Sequence, residues 1–375
     1  MKSQDLLDGG RKKIFVGVSG GVDSSVALVL LQKAGHDVTG VFLKVWSPDW
    51  LPCEWRDERR SAMRVCATLG VPFMTLDCEQ EYKNTIVDYM LSEYAAGRTP
   101  NPDVFCNKHV KFGVFLDKAR ALGADAVATG HYARLEDGYL CEAVDGDKDQ
   151  SYFLHQLSSE QLAHALFPIG DLHKSEVREL ARKFALPTAE KKDSQGLCFI
   201  GKVDMKEFLS HYLGDMLAAQ PGDVLDGSGA VIGRHDGALF YTIGERHGFD
   251  IFKKSDHDPR MFVLAKDMEK NTVTVGEAKK SGAGAGDAEA QMQTFQVRNM
   301  HWIAGEEPDL AKTYGIRFRY RQEQQMCQLV RKEEVGTGGR EYVYEIVSPV
   351  PQTVAPGQLA VVYDGVVCLG GGVIE

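Results

Sequence analysis

No stretch of the 375-residue chain approaches the ~18 consecutive apolar residues of a membrane-spanning helix, so a helical membrane protein is excluded. Paired cysteine motifs are missing too. The 8 cysteines stand at 53, 66, 78, 106, 141, 198, 327 and 368, with no CxxC and no Cys/His grouping at zinc-ligand spacing. The opening MKSQDLLDGGRKK has no apolar signal core. Together these absences argue against a disulfide framework and a zinc site, and for reduced thiols in a cytoplasmic protein. Positive charge is in deficit: 43 Lys and Arg against 53 Asp and Glu give a net −10. That speaks against a nonspecific nucleic-acid binder, although a local basic patch escapes such an average.

What is present starts with Ile14–Ser25, IFVGVSGGVDSS. An apolar run reads as a buried strand, Ser19-Gly20-Gly21 as a turn, and VDSSVALVLLQKAG as a helix. The first N–H groups of a helix lack partners and point at an anion, and glycines permit the close approach and positive φ of such a nest. There is no Lys after the second glycine, as a Walker A loop requires, and no GxGxxG. Two glycines after a strand are often only a turn. The full string Ser-Gly-Gly-Val-Asp-Ser is more specific, and it resembles the loop with which PP-loop ATP pyrophosphatases hold the pyrophosphate of ATP.

The length predicts two or three domains. Strand and helix patterns alternate to about residue 130: strands over Asp37–Trp46, Pro72–Leu76 and Asp125–Thr129, helices over Glu54–Leu69, Tyr82–Ala96 and Lys108–Leu122. Such βα units predict an α/β fold with a doubly wound parallel sheet and ligands at the carboxyl ends of its strands. Further helices are expected at Ser158–Leu166 and Lys174–Phe184. From about 214 short β-like runs with glycine turns take over, including Val231-Ile-Gly, Phe240-Tyr-Thr-Ile-Gly and Asn271–Gly276. The division expected is 1–213 for an ATP-binding catalytic domain, 214–280 for a small β-rich domain, 281–292 for a flexible linker, and 293–375 for a β-barrel.

Two cysteines stand in special surroundings. In Arg98-Thr-Pro-Asn-Pro-Asp-Val-Phe-Cys106-Asn-Lys, Pro100 and Pro102 stiffen the loop. If a helix begins here, Asp103 and Cys106 share a face, and a thiol near a helix start tends to a lowered pKa. A small cysteine buried under a proline loop is an equal reading on chemistry alone. Cys198 lies between Gly196 and Gly201 after the charged stretch KKDS, which suggests a mobile loop, while neighbouring Phe199 keeps a half-buried thiol in play. Near the other end, Arg317, Arg319 and Arg321 alternate with Phe318 and Tyr320. As a strand, this puts three guanidiniums on one face, either an ordinary solvated face or a phosphate contact.

SGGVDSSV, TPNPDVFCN, ATGHYA, KDQSYFL, KKDSQGLCFIG, TIGERHG, RFRYRQ and APGQLAVVYDGVVCLGGG run in this order from residue 19 to 372. In that arrangement the chain resembles the tRNA-specific 2-thiouridylases over nearly its whole length. The resemblance implies a PP-loop domain, a small central domain and a C-terminal β-barrel. It implies that Gly17, Val18, Ser19, Gly20, Gly21, Val22, Asp23 and Ser24, with Leu43 and Gly130, bind ATP. Asn101, Pro102 and Asp103 would face the target base, with Asp103 as acid/base helper, Cys106 as nucleophile and Cys198 as persulfide carrier. His131, Lys148, Asp149, Gln150, Arg319, Tyr320 and Gln358 would contact tRNA. Implied partners are tRNAs with an unmodified wobble uridine (those for lysine, glutamate and glutamine) and a sulfur donor such as a cysteine desulfurase or relay protein. A Cys106–Cys198 disulfide would form in the cycle. No metal on protein ligands is implied, and Mg²⁺ is expected with the nucleotide. Departures from the family pattern are Leu43 for Met, Cys141-Glu142-Ala143 where Arg-Gly is common, His247 for Lys, and a longer linker.

Overall fold

The computed structural model describes residues 10–50, 55–192, 204–252, 259–277, 292–336, 339–350 and 352–375. Cys198 and the 281–290 stretch lie outside the described residues.

The apolar run at the start forms β1 (Lys13–Gly17), followed by α1 (Val22–Lys33), β2 (Asp37–Lys44), α2 (Trp55–Leu69) and β3 (Phe73–Asp77). Two long helical runs come next, α3 over 79–95 and α4 over 102–121, and then β4 (Ala126–Ala128). A short hairpin, β5 (Arg134–Glu136) and β6 (Tyr139–Cys141), precedes α5 (Ser159–Ala163), β7 (Ala165–Leu166), α6 (Lys174–Lys183) and α7 (Met205–Leu213). The sheet order is β3-β2-β1-β4-β7, all parallel. Side chains alternate across it. Ile14 and Val16 pack with Leu28, Leu31 and Phe42 on one face, while Phe15, Val41 and Val127 pack with Phe112 and Phe115 of α4 on the other. Strand order reverses between β1 and β4, so the crevice for a ligand opens where Gly17 and Ala128 end their strands.

The second unit is a five-stranded sheet ordered β10-β9-β8-β12-β11, from β8 (Gly222–Leu225), β9 (Val231–His235), β10 (Phe249–Ile251), β11 (Met261–Asp267) and β12 (Thr272–Glu277). The third is a barrel of β13 (Gln293–Trp302), β14 (Thr313–Arg317), β15 (Gln325–Gly336), β16 (Gly339–Ser348), β17 (Leu359–Asp364) and β18 (Val367–Ile374). Pairing of β13 with β18 closes it, which removes the edges an open sheet would expose. The β5–β6 hairpin of the first unit continues the barrel sheet beyond β18, through Val367 opposite Cys141.

Four local expectations are corrected. Helix α4 begins at Pro102 rather than Lys108, because a proline is tolerated where a first-turn N–H has no partner anyway. The helix expected over Ser158–Leu166 stops at Ala163, and Ala165–Leu166 joins the sheet beside β4. Phe240-Tyr-Thr-Ile-Gly is no strand: a 3-10 turn at Ala238–Phe240 leads into a bend in which Thr242 N–H donates to Glu245 Oε2 and Gly244 has φ +88°. The arginine stripe is no strand face either. Strand β14 ends at Arg317, the Phe318 and Arg319 N–H groups donate to Gln322 Oε1, and Arg321 has φ +62°.

Candidate active site

The Ser19–Ser24 turn leads into α1 with Gly21 at the N-cap and no side chain capping the helix. The first-turn N–H groups therefore have no capping oxygen, as a phosphate site requires. Gly20 has φ +76°, and a Cβ there would stand 2.5 Å from the Glu58 carbonyl of α2. Glycine is thus required twice over, by conformation and by space. A Cβ on Gly130, two residues past β4, would stand 2.5 Å from Ser24 N, so the chain leaving β4 is pressed onto the start of α1. Within the loop Ser25 Oγ donates to the Gly21 carbonyl at 2.6 Å, and the Ser19 and Ser24 hydroxyls are 3.3 Å apart. Val18 and Val22 are buried, and so is Leu43 on β2, as an apolar wall requires. Gly17 leaves ordinary contact distance to Phe115.

Three side chains that the sequence reading passed over attend this loop. Lys174, at the start of α6, places Nζ 2.7 and 2.9 Å from the Asp23 carboxylate oxygens. Tyr132 OH donates to the same carboxylate at 2.9 Å, and Lys191 Nζ donates to the Gly20 carbonyl at 3.0 Å. A lysine absent from the loop itself is supplied from distant positions, which is why no motif spacing signals it.

The proline loop delivers Asp103 and Cys106 to one helix. Asn101 is the N-cap, Asp103 lies in the first turn, and Cys106 opens a π-helical stretch, Cys106–Val114, an irregularity often found at functional sites. The lowered thiol pKa expected of Cys106 is corrected: burial pushes it up to about 12, although Lys111 pulls the other way. The thiol is fully buried against apolar neighbours, and desolvation of a thiolate outweighs the partial charge of a helix start. Lys111 is itself buried, with Nζ 3.3 Å from His131 Nε2, while His131 Nδ1 lies 2.7 Å from Thr129 Oγ1. Burial holds His131 well below its ordinary pKa, hence neutral. The Cys106 helix is thereby tied, through Lys111 and His131, to the residue next to Gly130, and Gly130 packs on Ser24 of the anion loop.

The residues expected at tRNA divide into two groups. Asp149 is buried: it accepts from Ala143 N–H, Ser151 Oγ and, at 2.6 Å, Arg317 Nη1. Arg317 also meets Glu142 at 2.6 Å and lies 5.0 Å from the centre of the Tyr363 ring. The departure at Glu142 thus supplies half of an ion cluster that joins the first unit to the barrel. His131 is buried as well. Lys148 and Gln150 flank Asp149 and are half-buried, and Gln150 exchanges hydrogen bonds with the backbone of Tyr132. Arg319 is exposed and donates to the Thr353 carbonyl, Tyr320 packs 4.5 Å from Phe153 between ring centres, and Gln358 Oε1 accepts from Ala355 N–H. His247 is exposed beside Arg246. Among the described residues there is no group of three or more His, Cys, Asp or Glu placed to hold a metal, and no helix long and apolar enough to cross a membrane.

Comparison with known proteins agrees with this architecture. Three family descriptions match in succession: a tRNA methyl transferase HUP domain over residues 12–202, a tRNA methyl transferase PRC-barrel domain over 206–277, and an aminomethyltransferase beta-barrel domain over 292–374. The chain is 42% identical to the tRNA-specific 2-thiouridylase MnmA of Lysinibacillus sphaericus, covering 99% of this chain and 96% of that one. It is 43% identical to the enzyme of that name from Pseudomonas paraeruginosa (97% and 95% covered) and 42% to that from Methylobacillus flagellatus (97% and 99%). Among solved structures, the U34-tRNA thiolase NcsA from Methanococcus maripaludis aligns at 17% identity and a TM-score of 0.37, over 56% of this chain and 73% of that one. With identity above 40% maintained from end to end, the chain belongs to the tRNA-specific 2-thiouridylases.

Proposed function

We propose that the protein replaces the 2-oxygen of the wobble uridine of tRNA with sulfur, at the expense of ATP. The single observation that carries this reading is that linkage: an uncapped, glycine-built anion loop is tied through Gly130, His131 and Lys111 to the helix that bears Asp103 and a buried thiol. Gly17, Val18, Ser19, Gly20, Gly21, Val22, Asp23 and Ser24, with Leu43 and Gly130, hold ATP, and Mg²⁺ accompanies its phosphates. In the first step the uracil O2 attacks the α-phosphorus, the bond to the β-phosphate bridge breaks, and pyrophosphate leaves. The poor leaving group at C2 has become AMP.

In the second step sulfur displaces it. A persulfide on Cys198 supplies the terminal sulfur. In one route that sulfur attacks C2 directly and expels AMP. The Cys106 thiolate then attacks the Cys198 sulfur of the adduct, which breaks its S–S bond, leaves the sulfur on C2 and joins the two cysteines in a disulfide. In the other, the Cys106 thiolate attacks the Cys198 sulfur, forms a disulfide and releases hydrosulfide, which attacks C2 and expels AMP. The disulfide then takes two electrons from a thiol reductant before the next cycle. Asp103 moves protons at the base, and Asn101 and Pro102 shape its seat. Burial keeps the Cys106 thiol protonated at neutral pH, and Lys111 is the nearby cation that favours its thiolate. Lys148, Gln150, Arg319, Tyr320 and Gln358 receive the RNA.

The test combines protein, ATP, unmodified tRNA and a persulfide donor, then follows AMP, pyrophosphate and nucleoside mass. Tied release of AMP and pyrophosphate with appearance of 2-thiouridine is the expected outcome. ADP and phosphate, or turnover indifferent to tRNA, would overturn it.

A further inference from the structure

The TIGERHG stretch, residues 242–248, belongs to the central unit and takes no part in the reaction as described so far. Its place in the fold gives it one. The Thr242 hydroxyl lies 3.1 Å from that of Thr99, which stands two residues before Asn101 in the proline loop. The Thr99 N–H donates at 2.9 Å to the Pro356 carbonyl of the barrel unit. Three chain segments, one from each unit, therefore close on a single threonine.

Glycines mark how tightly they close. Gly357 has φ +89°, and a Cβ there would come 2.8 Å from Thr99 N. Gly97, φ +76°, faces Met268 of the central unit in the same way, at 2.8 Å. Gly244, φ +88°, would put a Cβ 2.9 Å from Arg319 Nη2 and 3.1 Å from Thr353 Cγ2. The same Arg319 Nη2 donates to the Thr353 carbonyl at 2.6 Å. At the far end of the segment Arg98 is fixed by two hydrogen bonds to Glu93. Between Thr99 and Asp103 the backbone is stiffened by Pro100 and Pro102, so a shift at Thr99 passes to Asp103 and Cys106 with little slack.

We propose that the Thr242–Gly244 turn is a positioning element for the thiolation site: through Thr99 it sets the Asn101–Cys106 segment, and through Gly244 it seats the Arg319 guanidinium. The inference rests on the thiolation reading above. It gives the central unit a task, which is to register the thiol-bearing loop against an RNA-facing arginine.

Thr242→Val removes one hydroxyl and keeps the volume. In a folded variant kcat for tRNA thiolation should fall roughly five- to tenfold, the worth of one such hydrogen bond, with KM for ATP unchanged. Thr242→Ser should restore the rate, and the Thr99→Val/Thr242→Val double variant should be no worse than either single variant. Iodoacetamide labelling of Cys106, read by mass spectrometry, should rise several-fold in Thr242→Val and not in Thr242→Ser. Gly244→Ala should raise KM for tRNA, and in an Arg319→Ala background it should have no further effect. An unchanged kcat and labelling rate in Thr242→Val, equal losses in the Ser variant, or additive losses in the double variant would overturn the proposal. Altered labelling in a protein whose wild type does not thiolate tRNA would count against the reaction and leave the positioning intact.

Discussion

Lys174 Nζ grips both carboxylate oxygens of Asp23, at 2.7 and 2.9 Å, across 151 positions of sequence. A carboxylate at the mouth of an anion site opposes a polyphosphate ligand unless a cation offsets it, and Lys174 does so from a half-buried position with Tyr132 as second donor. Replacing Lys174 with Met should raise the KM for ATP by about tenfold, near the worth of a charge-assisted hydrogen bond. Binding of tRNA, measured by filter retention without ATP, should stay within about twofold, since the cost falls on the nucleotide.

Under the proposed reaction, substitutions at Cys106 and Cys198 should separate the sulfur chemistry from the activation chemistry. Serine at either position should abolish 2-thiouridine formation. ATP–pyrophosphate exchange with tRNA present should persist, because the α-phosphate step needs neither thiol. Loss of both activities together would mean that the cysteine serves the fold of the crevice rather than the transfer of sulfur.

The buried thiols make a prediction about alkaline stability. From an ordinary 9.0, burial raises Cys66 and Cys78 to about 11 and Cys106 to about 12. The unfolded chain releases these protons near pH 9 while the folded chain keeps them, so between pH 9 and 11–12 the folded state binds more protons. Stability should be level below that window and fall as pH rises through it. Urea midpoints at pH 8 and pH 10 measure the effect. Cys106→Ala should lessen the drop by about 1 kcal/mol.

Asp149 and Arg319 should part company in salt titrations. Arg319 is exposed, and its loss should flatten the log K versus log salt plot for tRNA by about one unit. Asp149→Asn leaves Arg317 with Glu142 as its one remaining carboxylate. That should cost about 1–2 kcal/mol of folding stability, seen in urea melts, and leave the salt slope as it was.

The PP-loop, the parallel sheet and the barrel could be read from the chain because each rests on local pattern: strand, glycine turn and helix start in Ile14–Ser25, and alternation in the late strands. Arg317 shows where that reading stops. Period 2 put it outward with Arg319, but a partner 168 positions away, Asp149, draws it in, and no local pattern encodes such a pairing. Lys174, Lys191 and Tyr132 were missed for the same reason, as none has a fixed spacing from the loop it serves. A helix carrying both Asp103 and Cys106 could be read from the proline loop, yet its start signalled a lowered thiol pKa while packing around α4 raised it. Burial is a tertiary quantity, and here it outweighed the helix end.

The β5–β6 hairpin bears on how the chain is made. Its covering strand, β18, is separated from it by more than half the chain and includes nearly the last residue. During synthesis the hairpin emerges early and must wait, with that edge unpaired, until β18 has been made. A pairing so distant also carries a high loop-closure cost and slows folding. Loss of β18 would both open the barrel and strip an edge of the N-terminal unit, so a chain without it is damaged in two places at once.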